Sequence, residues 1–383
     1  MLPRKTDVVV VGGGVIGSSI LYHLSKRKIQ AVLLEKGELI SGTSGACDGL
    51  IFLQSKKPGP HLRLAQEGTK RFSNLKDELH FDIEYRNSGG MIVIENDHEL
   101  EVMERFVAEQ QKIGLDISLL DIDQAREKEP SLSEKIFGST FSPLDGKVNP
   151  LLLTHAFIRS AKKLGARVFT DNEVTGIALK SHQVRSVKTG KGEIETTTIV
   201  NAAGAYAPEI GKLVHLDIPI KPRRGQLLVT EPMPPVLNRG VLSAKYIAAK
   251  FDPALAETEG EGISIDQTSS GNFLLGSTRE FVGFDTRTTH QAMTNIATQA
   301  IHIIPQLKDT HIIRAFAGLR PYTPDGLPIL GNVDGVEGFI VAAGHEGDGV
   351  ALSPITGEVI AELVDTNITP ISLNEFRLER FNS

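Results

Sequence analysis

The strongest hydrophobic pattern of the chain lies in residues 7–35, which read DVVVVGGGVIGSSILYHLSKRKIQAVLLE. The four valines at its start predict a short buried strand, and the glycines after them predict a turn. Apolar residues then recur at positions 15, 20, 21 and 24, a spacing that predicts a helix. Residues 31–34 predict a second strand that ends on an acid. Together these elements form a strand–turn–helix–strand unit.

From residue 36 to residue 213 the pattern alternates between helices and strands. Residues 197–213 predict another buried strand, which ends at a corner of small residues, Ala202-Ala203-Gly204, before a helix begins. We expect this strand to return to the first sheet. Helices are also predicted at residues 61–79, 97–112 and 150–165, and strands at residues 89–96, 167–170, 173–179 and 183–188.

Residues 216–314 show a different pattern, in which short strands are separated by turns. The strands are predicted in the sequences GQLLVT (from 225), KYIAAK (from 245), GISIDQ (from 262) and NFLLGST (from 272), and a helix is predicted at residues 289–304. This pattern favours a mostly antiparallel sheet with one face covered and the other lining a cavity. The acidic insert at residues 252–262 is interpreted as a mobile loop or a contact surface.

The last segment predicts two further strands and a helix. Residues 311–331 form a strand that ends on Arg320 and Pro321, followed by a loop rich in turn residues. Residues 339–364 predict a strand, a glycine turn and a helix. We expect the N-terminus of this helix to face the same ligand as the first glycine turn. A positive helix terminus suits a ring that gains negative charge on reduction, as a flavin does.

The first glycine turn has the spacing of a dinucleotide-binding motif, with Gly12, Gly14 and Gly17 in the G-x-G-x-x-G positions. The first glycine permits the tight bend, the second lets the backbone approach a pyrophosphate, and the third lets helix and strand pack closely. Glu35 is placed to accept hydrogen bonds from a ribose diol. An acid at this position disfavours the 2′-phosphate of NADP, and the motif leaves NAD and FAD open.

Residues 36–50 are rich in small and hydroxyl side chains, which permit close wrapping around a polar ligand; the alternative is a flexible surface loop. Cys47 in this segment is either a small buried filler or a contact near the ligand. It is the only cysteine, so the chain alone cannot form a disulfide, an iron–sulfur cluster or a zinc knuckle. No metal site is expected.

Composition limits the class of partner. The net charge is −6 and no basic block stands out, so nucleic acid is not an expected partner. The length of 383 residues favours two domains or one elaborated domain. No apolar run is long enough to span a bilayer, and the first strand follows too soon to leave room for a signal peptide. We expect a cytoplasmic protein; the alternative is a peripheral position at the inner membrane face.

Four motifs occur in order along the chain: VVVVGGGVIG with Glu35, NAAGAY, FAGLRPYTPDGLPILG and AAGHEGDG. Over essentially the whole chain they resemble the D-amino-acid oxidase superfamily of FAD enzymes. The resemblance implies an α/β (α+β) fold, with a Rossmann-like FAD-binding domain of the glutathione-reductase type and a substrate domain built on a mostly antiparallel sheet. The implied FAD-binding domain comprises residues 1–80, 145–215 and 315–383, and the substrate domain comprises residues 81–144 and 216–314.

The same resemblance implies the cofactor and the residues that bind it. FAD is expected to be non-covalent, because Cys47 does not lie in the C-terminal region where some members attach it. The implied FAD contacts are Gly12, Gly14, Val15, Ile16, Gly17, Glu35, Lys36, Thr43, Ser44, Gly49, Leu50, Val174, Ala203, Gly204, Gly318, His345, Gly347, Asp348, Gly349 and Val350.

Three residues are implied to bind the substrate. Arg320, in the LRP motif, matches an arginine that pairs with a substrate carboxylate; the alternative is a structural ion pair. Tyr246 matches a tyrosine over the substrate; the alternative is a half-buried strand aromatic. Glu346 adds negative charge, which favours a cationic amine in the substrate; the alternative is that it caps the last helix. For its neighbour Asp348, capping is the favoured interpretation.

The resemblance implies hydride transfer from the carbon beside an amine nitrogen to flavin N5, giving an imine, with no catalytic residue beyond the flavin. The sequence is similar to glycine oxidase, hydrogen cyanide synthase and the β-subunits of dye-linked proline, hydroxyproline, opine and sarcosine enzymes. Because the GHEGDG turn has Gly347 where the first two carry an arginine, it favours the β-subunits. A β-subunit implies an α-subunit partner that carries FMN or an iron–sulfur centre. The alternatives are a self-sufficient oxidase similar to glycine oxidase or sarcosine oxidase that forms peroxide, a hydrogen cyanide synthase subunit, and an FAD-binding scaffold subunit.

Overall fold

The structure is a computed structural model that describes residues 1–251 and 262–381. Its strands are β1 Val8–Val11, β2 Ala31–Leu34, β3 Leu50–Ile51, β4 Gly90–Ile94, β5 Ser118–Asp121, β6 Gly138–Ser142, β7 Gly146–Lys147, β8 Arg167–Phe169, β9 Val174–Lys180, β10 Gln183–Thr189, β11 Gly192–Glu195, β12 Thr198–Asn201, β13 Lys221–Pro232, β14 Gly240–Ser243, β15 Ser264–Gln267, β16 Asn272–Gly276, β17 Ile312–Tyr322, β18 Ile329–Asn332 and β19 Phe339–Ala343. Its α-helices are α1 Val15–Lys26, α2 Pro60–Leu79, α3 Asp97–Lys112, α4 Ile122–Lys128, α5 Pro150–Lys163, α6 Ala207–Lys212, α7 Ala244–Phe251, α8 His290–Ile303 and α9 Gly349–Thr366.

The valine run β1 lies near the centre of a six-stranded sheet with the order β18-β19-β12-β1-β2-β8. All neighbouring strands are parallel except the edge pair β18 and β19. Val8 and Val10 pack on the side of α1, α5 and α9, whereas Val9 and Val11 pack on the side of the three-stranded sheet β9–β11. Burial on both faces explains why the strand is apolar at every position.

The connection from β1 to α1 requires two of its glycines. Gly12 has a φ of +115°, which lies in the left-handed region that favours glycine. A Cβ at position 17 would overlap the carbonyl oxygen of Gly12, so a side chain there would separate the helix from the strand. The sequence-based interpretation of Gly17 as a packing glycine agrees with this geometry.

An eight-stranded sheet with the order β17-β13-β16-β15-β14-β4-β6-β5 forms the second layer. Every neighbouring pair is antiparallel except β4 with β14. Helix α8 packs against this sheet, and Phe273, Ile265 and Ile296 are part of their shared core. The prediction of an α/β fold with a second, mostly antiparallel sheet is confirmed. The division into two domains at the predicted residue ranges stays a prediction.

The strand predicted from residue 245 is wrong, because residues 244–251 form helix α7. Two features explain the helix. The Oγ of Ser243 accepts a hydrogen bond from the backbone N–H of Lys245 at 3.3 Å, which favours a turn after β14. The sequence AKYIAAKF is rich in alanine and lysine, which are strong helix formers.

Two further expectations concern loops and membranes. Residues 43–45, within the segment rich in small residues, form a 3₁₀-helix, and the flexibility of residues 36–50 stays untested. The acidic insert at residues 252–262 lies outside the described residues, except for Gly262. Among the helices of residues 1–251 and 262–381, none has the length and apolar character needed to cross a bilayer.

Candidate active site

A cavity of about 500 Å³ opens at the carboxyl ends of four parallel strands of the first sheet. Gly12 follows β1, Glu35 follows β2, Ala202 follows β12 and the turn with His345 follows β19, and all four line the cavity. Residues 317–321 of β17 close its other side. Strand β1 lies between β2 and β12, so the strand order of the sheet reverses at β1. The cavity occupies the crevice at this point, which is the usual ligand site of such sheets.

The N-terminus of α1 forms one wall of the cavity through Gly14, Val15 and Ile16. Gly14 is the extended N-cap residue, and the N–H of Val15 donates to the Oγ of Ser44 at 2.9 Å. A Cβ at Gly14 would lie 3.0 Å from that same oxygen, so a side chain would fill the space above the helix end. The first N–H groups of a helix and its dipole favour an anion, and a pyrophosphate fits this position.

The carboxylate of Glu35 is held at the rim of the same turn. It accepts hydrogen bonds from the N–H of Gly13 at 2.7 Å and from the N–H of Gly37 at 2.9 Å. A carboxylate offers about four acceptor positions, so the two backbone bonds leave capacity for the hydroxyls of a ribose. The structure thus holds the acid in a fixed orientation beside the phosphate-binding turn.

Most of the predicted FAD contacts line the cavity. The lining continues from Val174 past Glu35 and the glycine turn to Gly318, a path that suits an extended dinucleotide. The predicted contacts in the lining are Gly12, Gly14, Val15, Ile16, Glu35, Lys36, Thr43, Ser44, Val174, Ala203, Gly204, Gly318, His345, Gly347, Gly349 and Val350.

Four predicted contacts lie outside this lining. Gly17 faces the oxygen of Gly12, and a Cβ at Gly49 would overlap the carbonyl of Val148, so both glycines permit close backbone packing. Leu50 lies in β3 and pairs with Lys147 of β7. Asp348 forms ion pairs instead of lining the cavity.

Asp348 occupies the N-cap position of α9 but makes no capping hydrogen bond through its side chain, so the capping interpretation is wrong. Its carboxylate pairs with Nζ of Lys56 and lies 3.0 Å from Nε2 of His61. Lys56 is only 3% exposed, and a buried ammonium group requires an anion nearby. The role of Asp348 is therefore determined by its ion pair with Lys56, a residue far from it in the sequence.

His345 is buried at the start of the last glycine turn, and its Nε2 lies 3.1 Å from Oγ1 of Thr356. Burial, with a smaller effect of the nearby His61, lowers the pKa of His345 to about 3. The imidazole is therefore neutral near pH 7. Helix α9 begins just beyond it, and Gly347, Gly349 and Val350 bring the helix N-terminus to the cavity.

Arg320 of β17 lies in the lining beside the last glycine turn, since a Cβ at Gly347 would lie 3.8 Å from its Cδ. Its guanidinium group donates to the carbonyl of Thr278 at 2.9 Å and to the Oγ of Ser277, which are both neutral. Within the described ranges no carboxylate lies at ion-pair distance from Arg320, so the alternative of a structural ion pair finds no support. Burial lowers the pKa of this guanidinium group, and its charge is available to a ligand.

The two other predicted substrate residues have partners within the protein. Glu346 lines the cavity with a φ of +51°, and its carboxylate is paired with Arg223. It does not cap α9. Tyr246 lies outside the lining, on helix α7, with the guanidinium carbon of Arg279 at 3.7 Å from its ring centroid. The alternative that Tyr246 is a strand aromatic is wrong, and substrate binding by Glu346 and Tyr246 stays a prediction.

The sequence analysis missed several residues of the site. Asp48 lines the cavity, and its carboxylate accepts from the Oγ of Ser264 at 2.8 Å. Tyr206 also lines it, with Nζ of Lys36 at 3.0 Å from the ring centroid. The motifs contained a signal for both: Asp48 follows Cys47 in the loop rich in small residues, and Tyr206 ends NAAGAY. Arg223 lies outside the lining but pairs with the lining residue Glu346, and it had no such signal.

Cys47 also lines the cavity. Its Sγ donates to the carbonyl of Ser44 at 3.6 Å, which is within the range for sulfur donors. Burial, with a smaller effect of the neighbouring Asp48, raises the pKa of the thiol to about 12. The thiol is therefore un-ionised near neutral pH and is a poor nucleophile. Cys47 is thus a partly buried small side chain at the edge of the site.

Comparison with known proteins agrees with this geometry. The family model of DAO, FAD dependent oxidoreductase, matches residues 7–363. The chain is 31% identical to the hydrogen cyanide synthase subunit HcnC of Pseudomonas protegens over 99% of this chain and 97% of the relative. It is 30% identical to glycine oxidase of Geobacillus kaustophilus over 99% of this chain and 98% of that enzyme.

Solved structures show the same architecture over the full chain. The L-proline dehydrogenase of P. horikoshii superposes with a TM-score of 0.90 at 28% identity and covers 100% of this chain and 99% of its own. The glycine oxidase of G. kaustophilus superposes with a TM-score of 0.90 at 30% identity, covering 99% of each chain. The glycine turn and the fixed orientation of Glu35 agree with a match over nearly the whole chain. This protein therefore belongs to the DAO family of FAD-dependent oxidoreductases.

Proposed function

We propose that this enzyme oxidises an amino acid or a secondary amine at the carbon next to nitrogen and forms an imine. The observation that carries the proposal is the position of Arg320, whose side chain lines the cavity next to Gly347 of the last glycine turn. Its hydrogen bonds to Thr278 and Ser277 fix its orientation without neutralising it. A planar cation in a fixed orientation suits a substrate carboxylate. Glycine oxidase and L-proline dehydrogenase, two relatives, are named for such substrates.

The protein's contribution to the reaction is orientation and charge. FAD bound in this cavity would supply the hydride acceptor. Arg320 holds the carboxylate and thereby directs the adjacent C–H bond. The neutral His345 adds no charge to this end of the cavity, and the N-terminus of α9 would favour a negative charge on a reduced cofactor held there.

We further propose that the chain is the catalytic β-subunit of a hetero-oligomeric proline-, hydroxyproline- or opine-type dehydrogenase. Two observations support this assignment. The GHEGDG turn has Gly347 in the cavity lining, where an arginine would contact the substrate side of the site. The match to L-proline dehydrogenase covers the whole chain. An iron–sulfur centre needs about four thiolates, and this chain has only Cys47. Such a centre would therefore be carried by an α-subunit, which could carry FMN instead.

The second candidate is a self-sufficient oxidase that forms hydrogen peroxide, or a subunit of a hydrogen cyanide synthase. Similarity to glycine oxidase and to HcnC at 30% and 31% identity favours it. A third candidate, an FAD-binding scaffold without activity, finds less support because the cavity ends on an unneutralised arginine.

One experiment separates the three candidates. The purified chain is mixed anaerobically with proline, hydroxyproline, sarcosine, glycine and an opine, and the flavin absorbance is followed. Bleaching by any of them supports the enzyme, and absence of bleaching by all of them supports the scaffold. Oxygen is then admitted. Slow reoxidation that an artificial dye accelerates supports the subunit, whereas rapid reoxidation with stoichiometric peroxide supports the oxidase.

A further inference from the structure

Lys56 is a buried lysine in the segment between β3 and α2, outside the cavity lining. Its Nζ donates to the Oγ of Ser55 at 3.0 Å and pairs with the carboxylate of Asp348. The side-chain amide of Gln110, on α3, donates to the backbone carbonyl oxygen of Lys56 at 2.5 Å. Burial lowers the pKa of the ammonium group, but the charge of Asp348, with smaller contributions from other groups, outweighs burial and raises it. The fold therefore holds a charged lysine in its interior.

The carboxylate that pairs with Lys56 belongs to the N-cap residue of α9. Asp348 stands between Gly347 and Gly349, and both glycines line the cavity. The N-terminus of a helix is equivalent to a partial positive charge, and a carboxylate beside it counteracts the potential that it presents to a ligand. The ammonium group of Lys56 supplies the opposite charge at this place.

The segment that carries Lys56 is fixed against the first turns of α9. Helix α2 follows it, and a Cβ at Gly68 of α2 would lie 2.6 Å from the carbonyl oxygen of Ala351, so the two helices are in close contact. Lys56 contacts Oδ1 of Asp348, and Nε2 of His61, in the first turn of α2, lies 3.0 Å from Oδ2. The relative position of the ammonium group and the helix end is thus determined by packing.

A flavin that accepts two electrons and one proton gains one negative charge, and positive potential near its ring stabilises the reduced form. We propose that Lys56 is a positioning residue that neutralises Asp348, so that the N-terminus of α9 keeps its positive potential toward the cavity and raises the reduction potential of the bound flavin. This inference rests on the part of the proposed function that places the flavin ring at α9. It does not depend on the identity of the substrate.

The test measures the reduction potential of the bound flavin. The FAD-loaded protein is titrated anaerobically with dithionite in the presence of a reference dye, at about pH 8, where an ordinary histidine is neutral and cannot replace a lost ammonium group. Lys56→Met removes the ammonium group and keeps an unbranched side chain, Asp348→Asn removes the carboxylate, and the double variant removes both charges. The FAD content and the absorbance spectrum of each oxidised protein are recorded first.

We expect Lys56→Met to favour the oxidised flavin by about tenfold, since one elementary charge at about 10 Å in a partly buried site has an effect of this size. For a two-electron couple this corresponds to a potential about 30 mV lower than in the wild-type protein. Asp348→Asn should shift the potential in the opposite direction. The double variant should lie near the wild-type value, because it removes one charge of each sign, whereas a merely structural ion pair predicts no such restoration.

Lys26→Met is the control for the loss of one positive charge. Lys26 pairs with Glu78 at 2.7 Å and ends α1, about 16 Å along the helix axis from the end that lines the cavity. This variant should leave the potential unchanged.

An unchanged potential in Lys56→Met would overturn the inference. A double variant with a potential as low as that of Lys56→Met would also overturn it, since Lys56 would then act independently of Asp348. If Lys56→Met fails to fold or to retain FAD, Asp348→Asn decides, and a potential equal to or below that of the wild-type protein would overturn the inference. None of these outcomes changes the proposal of amine oxidation, which the bleaching experiment tests separately.

Discussion

Gly225 of β13 lies directly against the guanidinium group of Arg320 on the neighbouring strand β17, and a Cβ at position 225 would overlap Nη1 of that arginine. The orientation of the predicted carboxylate-binding group therefore depends on the absence of a side chain across the strand pair. The hydrogen bonds from Arg320 to Ser277 and Thr278 complete this arrangement.

Gly225→Ala should therefore displace Arg320 and weaken substrate binding while FAD stays bound. We expect the rate of flavin reduction at low substrate concentration to fall by about tenfold or more, since a charged contact in a desolvated pocket is lost. Gly176→Ala is the control, because a Cβ at Gly176 meets only the side chain of Lys188 at an ordinary 3.6 Å. Unchanged reduction kinetics in Gly225→Ala would show that Arg320 does not bind the substrate in this orientation.

Gly14→Val should abolish FAD binding. A valine side chain at the N-cap of α1 fills the space in which the pyrophosphate is expected, beside the Oγ of Ser44. The ratio of flavin absorbance to protein absorbance in the purified variant measures the effect. Gly190→Val provides the control, since a Cβ at Gly190 has open space around it. A fully yellow Gly14→Val protein would contradict the assignment of the turn.

Acid precipitation of the wild-type protein should release intact FAD into the supernatant. The only cysteine, Cys47, has a thiol whose pKa is raised to about 12 by burial, so it is a poor nucleophile toward the flavin. Chromatography of the supernatant identifies the flavin. Colour that remains with the precipitated chain would mean a covalent link.

Two buried histidines should each contribute a loss of stability as the pH is lowered below about 6.5, the ordinary pKa of histidine. The buried Asp145, whose pKa burial raises to about 7, contributes in the opposite direction, so the test compares variants of single histidines with the wild-type protein. His345 has a pKa of about 3 and His23 of about 4 in the folded protein, in both cases chiefly through burial. Between these values and the ordinary pKa, each of these histidines is protonated in the unfolded chain but not in the folded one, so its contribution to the free energy of unfolding rises with pH there. Each group contributes a slope of up to about 1.4 kcal/mol per pH unit.

Urea denaturation of the FAD-loaded protein from pH 7 to pH 5 measures this slope. His345→Gln should reduce it by the contribution of one proton, whereas substitution of the exposed His98 by Gln should leave it unchanged. An equal slope in His345→Gln and the wild-type protein would mean that His345 is protonated in the folded state.

The sequence predicted the features that depend on local pattern. The β1–α1–β2 unit with Glu35 and the helix Asp97–Lys112 follow from apolar spacing and capping residues, and the structure has them at the predicted positions. The helix around Tyr246 was missed because its short apolar run fits a strand equally well. Sequence context alone does not distinguish the two.

The features that depend on distant partners were not predictable in this way. Asp348 resembles a helix cap in the sequence, and only the fold places the buried Lys56 next to it. Arg223 has no motif of its own. It becomes part of the site because the pairing of β13 with β17 places it opposite Arg320, and its guanidinium group pairs with Glu346. Such clusters of charge form between elements that are far apart in the chain.

The most direct test of the central claim is the anaerobic reduction of the bound flavin by an amine, compared between the wild-type protein and Arg320→Ala. The account predicts that at least one amino acid or secondary amine bleaches the wild-type flavin. In Arg320→Ala the same compound should act more slowly at low concentration, by a factor that corresponds to about 2 to 5 kcal/mol, with FAD content unchanged. A wild-type flavin that dithionite reduces but no amine in the panel reduces would contradict the account, as would equal rates in the two proteins.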